Sequence, residues 1–331
     1  NTAAVAREVI EAYGDGNGWA MANPVGSGPY RLKEWRRGQR ITLEANPGTV
    51  DSEKFFGYRD AGVNRISVGV QSFQPRLLKF LGRIHSADEA KRALITVKQA
   101  NFDSFSFDLI YANPGQTLAE LEADLDAALE FQPPHLSAYN LTFEEGTPFH
   151  HEYRSGKMRN LSEDEEIAMA ELIEVKLSDA GLKRYEISNY ARPGQHSRHN
   201  VNYWRGGDYL GLGAGAHSYR RNSDGVSGQR WSNEKNPAKY MTQVSETHLA
   251  IVDREAIERE KAAAEFMFLG LRMTEGISSE NFRRRFSQTP IELYPQIKSW
   301  IDAELLEEQT GSLRFTPKGL LLANSIFVHF M

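Results

Sequence analysis

The sequence predicts an α/β fold built on a parallel sheet, followed by a mainly helical C-terminal domain with a small β-wing. Three observations carry this expectation. Between residues 41 and 190, short β-rich runs alternate with amphipathic stretches, the grammar of successive βαβ units. Residues 190–235 change to a composition rich in Gly, Arg, Asn and aromatics. From Asn236 the chain turns charged and helical and closes with a strand-like Ser312–Phe315.

The strand candidates are Ile41–Ala45, Arg65–Val70, Ser104–Tyr111, His135–Leu141 and Tyr185–Asn189. Helical stretches are expected near 51–61, 75–99, 117–131 and 162–181, where apolar residues recur at three- and four-residue spacing. Ser162 followed by Glu165 is a capping-box start for the last of these, and Gly181 is a fitting stop. A closed barrel and an open doubly wound sheet both satisfy this pattern. Residues 190–235 read as a long functional loop around a short strand. Glu255–Met273 is the clearest helix of the C-terminal part, and an apolar helix follows Thr316-Pro317-Lys318-Gly319 to Met331. The first 40 residues stand outside this grammar: Tyr30–Trp35 and Arg40–Glu44, joined by a turn, form an expected β-hairpin. The domains are thus expected at 1–40, 41–235 and 236–331.

Bulk composition narrows the function classes. Hydrophobic residues make up 40% and charged residues 25%, as in ordinary globular proteins. A net charge of −5 gives no electrostatic reason to expect a nucleic-acid partner. No apolar run reaches the ~18 residues that span a bilayer, so no transmembrane segment is expected, while peripheral membrane association stays open. Cysteine is absent, which removes disulfides, thiolate zinc sites and Cys-ligated iron–sulfur clusters and fits a cytoplasmic location. The chain starts on Asn1 and is expected to be processed or truncated.

Functional groups of a parallel barrel gather where loops leave the C-terminal ends of the strands. Glu44, Gln71, Asp108 and Thr142 each fall at or near such an end, and Arg83 lies on the loop after Gln71. Carboxylates can take ribose hydroxyls or an amine, and Gln and Arg can take a carboxylate. The set suits a zwitterionic nucleoside; helix capping and loop satisfaction are the bland alternative. A second concentration is His199-Asn200-Val201-Asn202-Tyr203-Trp204. Neutral imidazole is an axial ligand of heme iron, which makes His199 the candidate ligand and His196 a lesser one. Tyr203 and Trp204 offer flat faces to a macrocycle, with Arg198, Arg205, Arg220 and Arg221 available for propionates. The alternative is a structural loop in which His199 bonds backbone. Gly211–Gly215 suits either a tight turn or close approach to adenine, with His217 its neighbour. Glu163–Glu166 enriches a helix start in acid, and Arg283-Arg284-Arg285 reads as a solvated helix face.

Leu43–Gly48, Asn64–Phe73, Leu81-Gly82-Arg83, Phe107–Tyr111 and Pro114–Thr117 are together similar to successive barrel motifs of oxygen-independent coproporphyrinogen III oxidase-like proteins. Ser197–Trp204 and Gly211–Ser218 resemble the signatures of the radical-SAM heme-chaperone branch. The resemblance covers about residues 41–331. It implies a partial parallel (βα) barrel of radical-SAM type lacking its first two βα units, then the helical domain. It assigns Glu44, Gln71, Arg83, Asp108, Thr142 and His217 to S-adenosylmethionine (SAM), and His199, Asn200, Asn202, Tyr203 and Trp204 to heme. Such proteins hold a [4Fe–4S] cluster on CxxxCxxC, which this sequence lacks, so radical chemistry is not expected of it and no catalytic residue is assigned.

The expected function is therefore heme-chaperone-like, with heme and a partial SAM site as ligands and an unidentified heme-accepting protein as partner. One alternative is an oxidoreductase of the coproporphyrinogen oxidase type. Residues 8–47 also resemble a fragment of family 5 extracellular solute-binding proteins, which makes a peptide-binding transport component the second alternative and a junction between two genes near residue 41 plausible.

Overall fold

The computed structural model describes residues 40–49, 52–143, 148–156, 158 and 160–330. Contacts within the chain divide it into a unit Arg40–His196 and a unit containing Ser197–Met331. The strands after Ser197 pair among themselves and with a strand beyond 250. Tyr30–Trp35 and nearly all of the solute-binding-like segment lie outside the described residues.

In the first unit, β1 (Thr42–Ala45), α1 (Ser52–Asp60), β2 (Arg65–Gln71), α2 (Pro75–Phe80), α3 (Ala87–Ala100), β3 (Ser104–Tyr111), α4 (Leu118–Leu129) and β4 (His135–Asn140) follow in order. α5 (Pro148–Arg154), α6 (Glu163–Asp179), β5 (Lys183–Arg184) and β6 (Asn189–Ala191) complete it. The sheet order is β1-β2-β3-β4-β6-β5. β1 to β4 are parallel, as the helical crossovers require. β6 runs antiparallel to β4, and β5 antiparallel to β6. The expected parallel strand Tyr185–Asn189 is therefore corrected: residues 185–188 form the connection, and Tyr185 N–H donates to Asn189 O at 3.1 Å across it.

The helical stretch 75–99 is two helices. Gly82 takes a left-handed φ of 64° after α2, and Ser86 starts α3 through a capping box with Glu89. The Ser162–Glu165 capping box forms as expected. Past the end of α6, Gly181 adopts a φ of 80° and Leu182 N–H closes on Leu177 O at 2.8 Å.

The sheet has two unlike faces. Residues Ile66, Val68, Val70, Phe107, Leu109, Leu136 and Ala138 point one way into the core, against Leu94 and Val97 of α3 and Leu121 and Leu125 of α4. Each such large side chain stabilises the unit by about 2 kcal/mol. The alternate residues are polar. Pairing aligns Thr42, Arg65 and Ser104 in one row, Glu44, Ser67, Ser106 and His135 in the next, and Asp108 with Ser137 and Asn189 in a third. Ser104, Ser106, Ser137, Arg65 and His135 are all buried.

The second unit begins with α7 (Arg198–Trp204), β7 (His217–Arg221), β8 (Gly228–Asn233), α8 (Pro237–Thr247) and β9 (Ile251–Ile257). β7-β8-β9 is an antiparallel sheet. The loop expected over 190–235 is thus a helix and a hairpin, and the N-terminal part of the helix expected at Glu255–Met273 is strand. Residues up to Ile257 satisfy their backbone against β8, and α9 (Arg259–Gly270) starts only after Glu258. Next come β10 (Ile277–Ser278), α10 (Ser279–Phe286), α11 (Pro290–Leu293), α12 (Ile297–Asp302), β11 (Leu306–Gln309), β12 (Ser312–Phe315), α13 (Pro317–Leu321) and α14 (Ala323–Phe327). The wing is the sheet β10-β12-β11. The apolar C-terminal helix is broken at Leu322 and ends in a 3-10 turn, Val328–Phe330. No helix among the described residues is long and apolar enough to cross a membrane.

Candidate functional site

The first unit concentrates chemistry around the end of β2. The β2–β3 register shifts between Val68 and Gln71, and Gln71 ends the strand at a φ of 71°, a left-handed conformation rare for a side chain with Cβ. The buried Gln71 carboxamide folds back over Gly69: a Cβ there would lie 2.8 Å from Gln71 Nε2 and 3.3 Å from Asn46 Oδ1. Two flanking residues hold the turn. Asp124 of α4 accepts from Ser72 Oγ at 2.6 Å, Phe73 N at 2.8 Å and Gln74 Nε2 at 3.2 Å. His85 Nε2 lies 3.0 Å from Val70 O, so this nitrogen donates. Burial pushes the Asp124 carboxyl up, and its three donors offset part of that.

Asp108 lies two rows from Arg65 on the polar face. Burial raises its carboxyl to about 6, the Ser137 hydrogen bond opposes the rise, and the Glu44 carboxylate adds to it. Glu44 is exposed. Tyr139, beyond Ser137 on β4, is pushed up to about 12 by burial and by Asp108. Arg83 is half-buried, and its Nε has no hydrogen-bond partner among the described residues. Thr142 lies just past β4 and is exposed. Gln71 thus ends β2, Glu44 lies one residue before the end of β1 and Thr142 just past β4, whereas Asp108 sits within β3, three residues before its end, and interacts electrostatically with Glu44.

The sequence reading missed the rest of the polar face. Ser106 Oγ donates to Ser67 Oγ at 2.9 Å, Arg65 donates to Ser104 Oγ at 2.9 Å, and Ser104 Oγ donates to Gln195 Oε1 at 2.7 Å. His135 Nε2 meets Tyr185 Oη at 2.8 Å, and the Tyr185 ring stacks on His196 at 4.2 Å. Burial holds His135 well below the usual imidazole range and, with Arg40 nearby, lowers Arg65 to about 10. The signal was present in the period-two alternation Ser104-Phe105-Ser106-Phe107-Asp108.

In the second unit, Ser197 caps α7 by accepting from Asn200 N. His199 is exposed and its ring meets Tyr203 edge-on at 4.6 Å; Tyr203 meets Tyr209 likewise at 4.6 Å. Asn202 Nδ2 donates to Asp208 O at 3.1 Å, which gives it a structural task. The Arg272 guanidinium lies 4.5 Å from the Trp204 ring centre, a cation–π contact. Trp204 Nε1 is buried and has no acceptor among the described residues. Tyr203, Trp204, Arg205 and Arg221 line a cavity of about 1610 Å³, whereas His199, Asn200, Asn202, Arg198 and Arg220 are not part of its wall.

His217 opens β7 and is exposed. The Gly211–Gly215 segment is tied down locally: Gly211 N–H donates to Ser218 Oγ at 3.0 Å, and Asn233 Nδ2 donates to Gly213 O at 2.9 Å. These bonds account for the segment as a turn. Arg285 packs over Phe266 and Phe286 and donates to Val226 O at 3.0 Å, so part of the Arg283–Arg285 run is structural.

Residues 29–128 match the model of the Radical SAM superfamily, and residues 257–322 that of the HemN C-terminal domain. The chain is 36% identical over 294 residues to the heme chaperone HemW of Lactococcus lactis, covering 88% of this chain and 76% of the relative. It is 37% identical to the heme chaperone HemW of Escherichia coli, covering 88% and 74%. Against that of Haemophilus influenzae the identity is 38%, covering 88% and 73%. The structure of coproporphyrinogen III oxidase (HemN) from Escherichia coli, a radical SAM enzyme, superposes with a TM-score of 0.70 over 88% of this chain and 69% of that one. At 21% identity this is a likeness of fold.

Proposed function

Because this chain belongs to the HemW family of heme chaperones, we propose that it binds heme as cargo on its Ser197–Met331 unit and passes it to a heme-accepting protein. One observation carries the reading: Tyr203 and Trp204 of the heme signature line a cavity large enough for a macrocycle, with Arg205 and Arg221 in the same wall. Heme presents a flat apolar face and two carboxylates. Aromatic rings suit the first and guanidinium groups the second. The unsatisfied Trp204 Nε1 is a further donor for an acidic edge. His199, exposed on the same helix and edge-on to Tyr203 but outside the cavity wall, is the candidate axial ligand in this reading, with Asn200 and Asn202 of that helix as further heme contacts. Titration with hemin tests it: His199→Ala is expected to weaken the Soret-monitored affinity by at least about tenfold, and an unchanged affinity refutes the ligand assignment.

The four parallel strands form, in the same proposal, part of a partial (βα) barrel lacking its first two βα units, with the polar face turned inward. Gln71, Arg83, Glu44, Asp108 and Thr142 form a partial SAM site in this proposal. A buried carboxamide, a guanidinium with an unused Nε and two coupled carboxylates fit the carboxylate, amine and ribose of that molecule. The [4Fe–4S] cluster does not fit: the 331 residues contain no cysteine, and no cluster of three metal-ligating side chains occurs among the described residues. No radical step is assigned to these residues. The likeness to HemN in fold supports, as second reading, an oxidoreductase acting on a porphyrinogen. Anaerobic reconstitution followed by iron and sulfide analysis separates the two, with no stoichiometric cluster expected. A cytoplasmic location belongs to the first reading.

A further inference from the structure

We propose that Arg221 and Arg285 together form a carboxylate seat in the wall of the cavity lined by Tyr203 and Trp204, and that this seat takes a propionate of the bound tetrapyrrole, an inference that rests on the heme-binding reading above. Among the described residues, six arginine and lysine side chains line that cavity. Four of them are already engaged by neighbouring side chains. Arg205 pairs with Glu275 at 2.9 Å, Arg230 with Glu265, and Lys261 with Glu255, while Arg284 donates to Asn281 Oδ1 at 2.5 Å. Arg221 and Arg285 differ. Arg221 Nη2 donates to Gly206 O at 2.7 Å and Arg285 Nη2 to Val226 O at 3.0 Å, so their acceptors are uncharged main-chain carbonyls. The Nε of each is buried and has no hydrogen-bond partner among the described residues.

Folding brings the two arginines to one hairpin. Arg221 ends β7 opposite Gly228 of β8, and Asn222 N–H closes the turn on Ser227 O at 3.0 Å. Val226, the acceptor for Arg285, belongs to that turn, so α10 delivers Arg285 to the residues that follow Arg221. The Arg285 guanidinium lies 5.8 Å from the Phe266 ring centre and 5.1 Å from that of Phe286, contacts that position it before any ligand arrives. Burial, and then the Arg221 charge, hold Arg285 below the ordinary guanidinium range. Two like charges held together away from water are costly, and an anion shared between them offsets that cost. Asp224 of the same turn offsets part of it, but its oxygens already accept from Val226 N at 2.8 Å, Ser227 N at 3.0 Å and Ser227 Oγ at 2.6 Å. A propionate supplies two further oxygens in the geometry that guanidinium N–H groups match.

Titration of the full chain with hemin and with hemin dimethyl ester, whose propionates are capped, tests this by Soret absorbance. The wild type is expected to bind hemin at least about tenfold more tightly than the ester. Arg221→Gln and Arg285→Gln are each expected to lose about tenfold in hemin affinity while binding the ester as the wild type does. Retained ester binding shows that a variant is folded, and loss confined to the free acid is a response that a purely structural role would not give. Arg221→Gln decides alone if Arg285→Gln, whose guanidinium also packs on two rings, does not fold. Wild-type binding of the ester as tight as that of hemin, or an undiminished preference for hemin in a folded variant, overturns the proposal. Failure of the wild type to bind either compound overturns the heme reading itself, and this one with it.

Discussion

Asp108→Asn isolates the cost of keeping an ionisable group on the polar face. The folded carboxyl titrates at about 6 against an ordinary 3.8, which corresponds to about 3 kcal/mol at about 1.4 kcal/mol per pH unit. Because the folded state holds the proton more tightly, folding takes one up between pH about 4 and about 6. The contribution is thus fully present below pH about 4, falls as pH rises through about 6, and is absent at pH 8. Partial exposure of the side chain screens the effect, so about 2 kcal/mol is the expected size. Asparagine carries no charge at any pH and still accepts the Ser137 hydrogen bond. Urea melts followed by circular dichroism are therefore expected to give equal stabilities at pH 4 and an Asn variant more stable by about 2 kcal/mol at pH 8. All five tryptophans lie outside residues 40–196, so hydrogen exchange of β3 peptides rather than fluorescence assigns the transition to this unit. A variant that is equally or less stable at every pH refutes the argument that Asp108 is held protonated by burial.

Gly69→Ala is expected to push the Gln71 carboxamide off Gly69 and to lower SAM affinity by about tenfold in equilibrium dialysis, with hemin binding unchanged. Asp124→Ala leaves Ser72 Oγ and Phe73 N–H without their acceptor and should destabilise the first unit by about 3 kcal/mol; Asp124→Asn should lose less, and both are read by urea midpoint. Gly276 has a φ of 70° with the backbone of Leu313 against it. Gly276→Ala should therefore cost about 2 kcal/mol or more, seen as a lower melting temperature by tryptophan fluorescence.

The parallel part of the sheet was legible because its strands alternate with capped amphipathic helices, and Ser104–Tyr111 was bounded correctly by its hydrophobic run. The antiparallel strands were not. β5 and β6 are only two and three residues long, too short to show a period, and β9 runs directly into the polar start of α9, which disguised it as helix. The positions of Glu44, Gln71 and Thr142 at or next to strand ends were legible from the strand pattern, whereas Asp108 falls inside β3. The serine rows could not be weighed, since Ser67, Ser106 and Ser137 gain meaning only when pairing sets them side by side. The Arg272 contact was invisible for the same reason: Trp204 and Phe327 are brought to one guanidinium by folding alone.

Each central strand spells two messages in alternate letters. The apolar letters hold the helices, and the polar letters face the other way, joined to one another by short hydroxyl, carboxylate and imidazole contacts. A substitution such as Ser→Thr or Ser→Asn in the second message leaves the first unedited. Such a sheet can drift from one ligand to another, or lose an ancestral reaction altogether, while continuing to fold. That independence is what would let a lineage keep its architecture after the chemistry that first shaped it has gone.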